Sequence, residues 1–362
     1  MNLRDYKTAE DRRKAFEKEL GICLENIGAT TEEARIENRI GATHVPMGIA
    51  GPLNGKYIPL ATTEGALVAS ISRGCKAITG SGGATVSVVK IGATRGPVFK
   101  VKNLSENSTL YEFITKNKKT FNVLAQKTSG HITLTDVYTN SVGLYRFVRF
   151  TFDTQDAMGM NMVTIATQKI VEFIEKQTGV RCVSLAGNFD VDKKPSWFNV
   201  THGRGFEVWA EAVMPQKVLH DVLKTTAQKM YEVWLAKCMI GSAIAGSMAF
   251  NAQFANVIAA VFLATGQDAG HIGECSVGMT TAEMKKDDLY ISVYIPDLMV
   301  GTVGGGTGLA TQKEALSIIG AKNSREFAEV VAGVVLAGEI SLLASLSEGT
   351  IAKAHQRYGR NR

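Results

Sequence analysis

The residues DKKP, Asp192 to Pro195, put two lysines in a turn that also carries Asn188 and Asp190 a few positions earlier. A lysine held among carboxylates and amides can bind a developing oxyanion. A solvated surface turn is the plainer reading of the same residues. Asp268, in GQDAGHIGEC, closes a long apolar run. A helix C-terminus disfavours an anion, so this carboxylate calls for a compensating partner or a function, unless it is simply at the surface. His271, three residues on, reads as an ordinary loop histidine. Glu64 lies between a strand and the apolar stretch GALVASISRGCKAI. As a first-turn glutamate it would be stabilised by the helix dipole; as a buried carboxyl it would serve as a general acid. His355, in KAHQRYGRNR, is either inert in a tail or a proton donor that arrives when the tail folds over a site. One lysine, two carboxylates and a histidine suit oxyanion stabilisation and proton transfer, with no nucleophilic triad in view.

Two glycine clusters, TGSGG (Thr79 to Gly83) and GTVGGGT (Gly301 to Thr307), invite a phosphate-loop reading. Neither matches GxGxxG or GxxxxGK[ST], so close backbone packing and ligand approach both stay open. DAMGMNM, Asp156 to Met162, spaces three methionines by two and on its own reads as filler at a helix start.

These residues need a scaffold. With 362 residues and 45% hydrophobic content, the chain can bury a large core in two domains, or in one with an insertion. Its most apolar stretch, Lys237 to Asp268, is long enough to span a bilayer. Asn251, Gln253 and Asn256 in its middle argue against lipid and for a buried helical rod. The net charge of +6 comes without a long basic block and suits an anionic small molecule better than nucleic acid. The charged start MNLRDYKTAEDRRK gives no secretory signal. Five scattered cysteines fit a reducing cytoplasm and offer no metal spacing.

Periodicity predicts a helix over Asp11 to Leu20, loop and turns over Glu37 to Leu53, a strand over Tyr57 to Thr62 and a helix over Gly65 to Ile78. From Pro97 to Leu185 the order is β-α-β-β-α-β, with helices over Ser105 to Thr128 and Gly159 to Thr178. Later come a strand over Arg204 to Met214, a helix over Gln216 to Lys237, a strand pair (Ser276 to Ala282, Leu289 to Ile295) and two helices (Thr311 to Ile319, Ser324 to Leu346). The expected fold is α+β: a large mixed domain around a central buried helix, residues 1–96 and 186–346. A ferredoxin-like cofactor domain, 97–185, is inserted into it. A mobile tail, 347–362, carries His355.

The motifs together resemble one family. ENRIG (Glu37 to Gly41), PMGIAGPL (Pro46 to Leu53), ATTEGALVAS (Ala61 to Ser70), ATRGPV (Ala93 to Val98), DAMGMNM, GNFDVDKKP (Gly187 to Pro195), GSAIAGS (Gly241 to Ser247), GQDA (Gly266 to Ala269), GTVGGGT and the terminal histidine segment are similar, in order, to the class I 3-hydroxy-3-methylglutaryl-coenzyme A (HMG-CoA) reductases in their short soluble form. The resemblance implies reduction of HMG-CoA to mevalonate and coenzyme A with two NADPH, in isoprenoid precursor synthesis. It implies catalytic roles for four residues. Lys193 would stabilise the oxyanion, and Asp268 would couple electrostatically to Lys193 and Glu64. Glu64 would protonate the oxygen, and His355 the departing thiolate. Arg95, Asn188, Lys194, Lys237 and Asn256 match substrate-pocket positions. Asp156, Met158, Gly159, Met160, Asn161, Gly304, Gly305 and Gly306 match the cofactor side. The family further implies a cytoplasmic homodimer with shared sites, possibly a dimer of dimers, that binds statin-type inhibitors, and no metal.

The chain departs from the family pattern in places. Ala186 stands where a serine is usual, and Lys118, Lys119, Thr120 and Phe121 occupy the region that reads the NADPH 2′-phosphate. The basic charge and the ferredoxin-like insertion also raise an RNA-binding or non-catalytic reading. The insertion lacks the aromatic run that would stack bases.

Overall fold

The computed structural model describes residues 7–20 and 36–349. α1 (Ala9–Leu20) starts where the Asp11 amide donates to the Thr8 hydroxyl. It carries acids in its first turn and Lys18 in its last, the polarity its dipole favours. β1 (Met47–Leu53) and β2 (Lys56–Ala61) form a separate two-stranded antiparallel ribbon. The glycines and prolines of PMGIAGPL suggested loop and turns over this stretch, yet it makes a strand. β1 pairs on one side only, where Pro52 is tolerated, and its register slips between Ala50 and Leu53. α2 (Leu67–Gly80) buries Leu67, Ile71, Cys75 and Ile78 along one stripe. It begins two residues later than the sequence suggested, so Glu64 stands in the turn before it. The Glu64 amide donates to the Thr62 hydroxyl at 3.0 Å.

β3 (Thr85–Arg95), β4 (Val98–Lys100), α3 (Leu104–Lys116), α4 (Lys118–Gln126), β5 (Thr133–Val142), β6 (Tyr145–Asp153), α5 (Met160–Thr178) and β7 (Arg181–Ser184) follow. The one helix expected from Ser105 is two: Asn103 caps α3, and at Asn117 the side chain donates back to the Phe113 carbonyl, where α3 gives way to α4. Strands β7-β4-β6-β5 are all antiparallel, with α3–α4 and α5 as the crossovers, as the β-α-β-β-α-β reading requires. β3 joins this unit to the rest. Thr85 to Gly92 pair with β8 (Gly205–Met214), and Ala93 to Arg95 pair with β6. The change of partner falls at Gly92, φ 116°, where a Cβ would sit 2.4 Å from the Phe152 carbonyl oxygen. Only glycine fits there. The sheet continues through β10 (Asp288–Leu298) to β9 (Met279–Lys285) at its edge.

The remaining helices are α6 (Trp197–His202), α7 (Gln216–Val218), α8 (Ala227–Trp234), α9 (Ser242–Ala245), α10 (Phe254–Thr265), α11 (Ile272–Cys275), α12 (Ala310–Ile319) and α13 (Ser324–Ser347). The helix expected over Gln216 to Lys237 is broken by Lys224 in the left-handed region and restarts under a Thr226 cap. The rod expected over Lys237 to Asp268 is also broken. It stops at left-handed Gly246; ahead of α10 only Cys238 of this stretch is buried, while α10 lies in the core. The amides that argued against lipid mark the break: the Phe254 amide donates to the Asn251 side chain, and Gln253 precedes α10.

The central helix is α13, packed on α2, α8 and α10 and on β3, β8 and β10. It is long and apolar enough to cross a bilayer, and 78% of its apolar window is buried inside the fold. Small residues let neighbours close on it. A Cβ at Gly74 of α2 would fall 1.9 Å from the Ala337 carbonyl oxygen. Mid-helix, the buried Glu339 accepts from the Ala252 and Gln253 amides and the Thr280 hydroxyl, at 2.6–2.8 Å. It thereby satisfies the two amides just ahead of α10, while Asn251 serves the first amide of the helix itself.

Candidate active site

The loop from Gly187 to Pro195 links β7 to α6 and holds three non-glycine residues at positive φ: Asn188 (62°), Val191 (53°) and Lys193 (58°). Such conformations persist where surroundings impose them. Here the Gly187 amide donates to the Gly96 carbonyl at 2.6 Å, and the Thr94 hydroxyl to the Asp190 carbonyl at 2.8 Å. The Lys193 amide donates to Glu274 Oε2 at 3.1 Å. The Lys193 side chain lies across Gly270, where a Cβ would come within 2.9 Å of its Cδ, and reaches Asp268 Oδ2 at 2.7 Å. Burial alone would raise the Asp268 carboxyl. Hydrogen bonds from Lys193 and the Gly270 amide, with the charges of His271 and Lys193, outweigh it and hold the group below its ordinary value. Lys193 remains 41% exposed, so its ammonium faces both the carboxylate and solvent.

Beneath this pair lies a buried network centred on Arg204. Its guanidinium meets Glu274 Oε1 at 2.5 Å, Asp192 Oδ1 at 3.0 Å, Thr94 Oγ1 at 2.8 Å and Met160 Sδ at 3.0 Å. His271 hydrogen-bonds Glu274 through Nδ1, and its Nε2 lies 3.7 Å from Asp268 Oδ2. Arg204, His271 and Glu274 are fully buried. Arg95 pairs with Asp190 at 3.2 Å and Asp192 at 3.6 Å. Burial pushes the Asp190 carboxyl up, and the charges of Arg95 and Arg204 offset only part of that. One cation on each side therefore clamps the DKKP loop. In sequence His271 looks like an ordinary loop histidine, and Arg204 and Glu274 carry no mark of a site. The spacing HxxE was visible, but nothing in the sequence says that both side chains turn inward.

The other expected residues separate into two groups. Lys194 is exposed, donating to the Asp192 carbonyl at 3.1 Å, and Asn188 is exposed beside it. Glu64 and Asn256 instead share a groove of about 330 Å³ with Val45 and Leu67. Asn256, Ala259, Ala260 and Leu263 supply its wall at i, i+3, i+4 and i+7, one stripe of α10. Among the described residues no ion pair joins Glu64 to Lys193 or Asp268. Lys237 is exposed in a π-turn before α9. His355 lies outside the described residues.

The two cofactor-side motifs, about 140 residues apart in sequence, touch. The Asp156 carbonyl accepts from the Thr302 amide at 2.8 Å, Ala157 bridges to Val303, and a Cβ on Gly301 would meet the Met158 nitrogen at 2.5 Å. The Asp156 carboxylate accepts from the Ser324 amide and hydroxyl, tying the motif to the start of α13. Gly159, φ 85°, caps α5; a Cβ there would strike Thr154 at 2.4 Å. Gly304 and Gly305 have open space above them, leaving backbone bare. Gln267 joins this floor to the Asp268 loop: its amide donates to the Gly301 carbonyl at 3.0 Å and accepts from the Gly301 amide at 2.9 Å. Gly306 packs on Gly266, where neither position has room for a side chain. Met160 turns under to Arg204, and Asn161 lies in the first turn of α5. Of the residues at the expected 2′-phosphate region, Lys118 pairs with Asp136 at 3.7 Å, while Phe121 is buried core and is closed to a ligand.

A lysine–aspartate pair beside glycine-floored, exposed backbone defines a class of site: a cation for an oxyanion next to a cradle for an anionic dinucleotide. Comparison with known proteins narrows it. The sequence profile of hydroxymethylglutaryl-coenzyme A reductase matches residues 8–360. The chain is 48% identical to the 3-hydroxy-3-methylglutaryl-coenzyme A reductase of Methanocaldococcus jannaschii, over 97% of this chain and 92% of that one. It is 45% identical to that of Methanothermobacter thermautotrophicus, over 96% and 92%. Among solved structures, the fold is similar to the NADPH-bound class II reductase of Streptococcus pneumoniae, with a TM-score of 0.73 at 19% identity, over 94% of this chain and 97% of that one. The chain belongs to the hydroxymethylglutaryl-coenzyme A reductase family.

Proposed function

We propose that this chain reduces the thioester of HMG-CoA to mevalonate and free coenzyme A with two equivalents of NADPH, in the mevalonate pathway. The observation that carries this reading is the Lys193–Asp268 pair at 2.7 Å, tied through Gln267 to the floor built from DAMGMNM and GTVGGGT. The floor fits the cofactor. Exposed backbone at Gly304 and Gly305 lies on the same loop as Gly301, which is packed against the segment leading into the 19-residue helix α5, whose dipole favours an anion at that end. When bound there, NADPH supplies hydride. The chain's own groups do the rest. Lys193 donates to the substrate carbonyl oxygen as negative charge gathers on it. Asp268 fixes the ammonium. Glu64 delivers a proton to the oxygen, and His355 to the thiolate as it leaves. Arg95, Asn188, Lys194, Lys237 and Asn256 orient the glutaryl arm and its carboxylate.

Three further readings go with it. Residues 97–185 act as the cofactor-binding unit. Two copies complete each site, which suits a Glu64 groove with no ion pair to Lys193 in one chain and the exposed Leu235, Ile240, Ile244 and Met248 around GSAIAGS. The motif set favours the class I, cytoplasmic form, and statin-type inhibitors would compete for the substrate pocket.

The test is reduced-nicotinamide absorbance on adding HMG-CoA, first with NADPH and then with NADH, with free thiol titrated in parallel. Two cofactors oxidised per thiol released is the expected ratio. A folded protein that oxidises neither cofactor would refute the activity.

A further inference from the structure

His271 is the one buried group at the site whose ring is held on one side and left waiting on the other. Its Nδ1 hydrogen-bonds Glu274 Oε1, and Glu274 is in turn fixed by Arg204 Nη1 at 2.5 Å and by the Lys193 amide at 3.1 Å. The Nδ1–Oε1 contact needs a proton between the two atoms, and Nε2 is a donor when the ring carries its second proton or when Glu274 owns the shared one. The ring plane is therefore set from behind. Nε2 is buried and, among the described residues, has no hydrogen-bond partner. Asp268 Oδ2 lies 3.7 Å from it, the same oxygen that Lys193 Nζ holds at 2.7 Å.

A buried nitrogen aimed at an already engaged carboxylate oxygen is costly unless a second state uses it. The reaction supplies such a state: when Lys193 turns to a carbonyl oxygen that is gaining charge, Asp268 loses its cation.

We propose that His271 is a positioning residue for Asp268: its Nε2–H closes onto Oδ2 as Lys193 engages the substrate, so the carboxylate keeps a donor and its place throughout the cycle. This rests on Lys193 and Asp268 being the catalytic pair. The charged groups facing the ring are Asp268, Glu274 and Asp192, with Arg204 at 3.5 Å from Nδ1 and Lys193 beyond Asp268. The charge of His271 also helps to hold the Asp268 carboxyl low against burial. Removing it should let that carboxyl take up a proton at higher pH, so the acidic limb of activity moves upward.

The test is steady-state turnover of the full chain with HMG-CoA and NADPH, comparing His271→Gln and Lys193→Ala with the parent across pH. His271→Gln should lower kcat by roughly ten- to a hundredfold, the size of one charge-assisted hydrogen bond. It should leave the KM for HMG-CoA within about twofold, since ground-state binding is untouched, and shift the acidic limb up. Parental kcat and pH profile in His271→Gln, with Lys193→Ala inactive, would overturn this proposal and leave the catalytic pair standing. Parental activity in both variants would overturn the pair as well. If His271→Gln does not fold, ring ¹⁵N spectra of the unaltered protein decide. Adding HMG-CoA alone should move the His271 Nε2–H resonance to that of a stronger donor, and an unmoved resonance counts against the exchange.

Discussion

At the scale of single residues, the site combines a few groups that face solvent with a larger set that is buried and charged. Asp297 shows the cost of the buried set. It accepts from Asn199 at 3.1 Å, has no partner for its other oxygen among the described residues, and is driven well above the ordinary carboxyl value by burial and then by the charge of Glu274. A carboxyl raised in the fold keeps a proton that the unfolded chain has already lost. Its contribution to stability is therefore whole below the unfolded value, ~3.9, and is lost as pH rises through the higher folded one. Asp297→Asn retains an oxygen for Asn199 and has no proton to lose. Its Tm should gain on the parent as pH goes from about 5 to about 8, read by thermal melts across that range; a gap that does not change with pH would contradict the assignment. The sequence showed Lys193 and Asp268 as residues of interest because their types and settings were unusual. It did not show Asp297, Arg204 or Glu274, since burying a charge depends on which strands and loops meet above it.

At the scale of elements, glycines and one distant glutamate determine where the site stands. Gly270 leaves room for the Lys193 stem, so Gly270→Ala should displace it and lower kcat by roughly ten- to a hundredfold while substrate affinity changes less. Steady-state kinetics decide it, with unchanged kcat as the contrary result. Glu339 does the same work for α10, because among the described residues the Ala252 and Gln253 amides ahead of that helix donate to its carboxylate alone. Glu339→Ala should cost about 3 kcal/mol or more in urea unfolding, and a loss below about 1 kcal/mol would mean the helix start is satisfied in some other way. Helical and strand periodicity recovered most of these elements, including the β-α-β-β-α-β order. It failed at the apolar stretch from Lys237 to Asp268. Composition there says buried, but the break depends on Gly246 entering the left-handed region and on Asn251 capping Phe254, both local choices made by packing. The longest core helix, α13, is where small residues and tight crossings actually meet.

At the scale of the whole molecule, the two halves of the proposed reaction are carried by different parts of the chain. β3 passes along one continuous sheet from its pairing with β8, through Gly92, to its pairing with β6 and ends at Arg95, so the segment that joins the two parts also delivers a cation to the DKKP loop. Arg204 reaches from that loop to Met160 of the cofactor-side motif, and Gln267 reaches from the Asp268 loop to Gly301. Hydride delivery and oxyanion binding are thus coupled by side chains that touch neither reactant in the proposed arrangement. Motif resemblance points to residues for both halves in the sequence. The links between them were not legible, because each is a contact between segments tens to hundreds of residues apart. The most direct measurement is Lys193→Ala assayed for NADPH oxidation with HMG-CoA, alongside calorimetric binding of HMG-CoA to the same protein. Assembly and substrate binding should be retained, with turnover down by roughly a thousandfold or more, the loss expected for a principal oxyanion donor. Turnover close to the parent's would contradict that role.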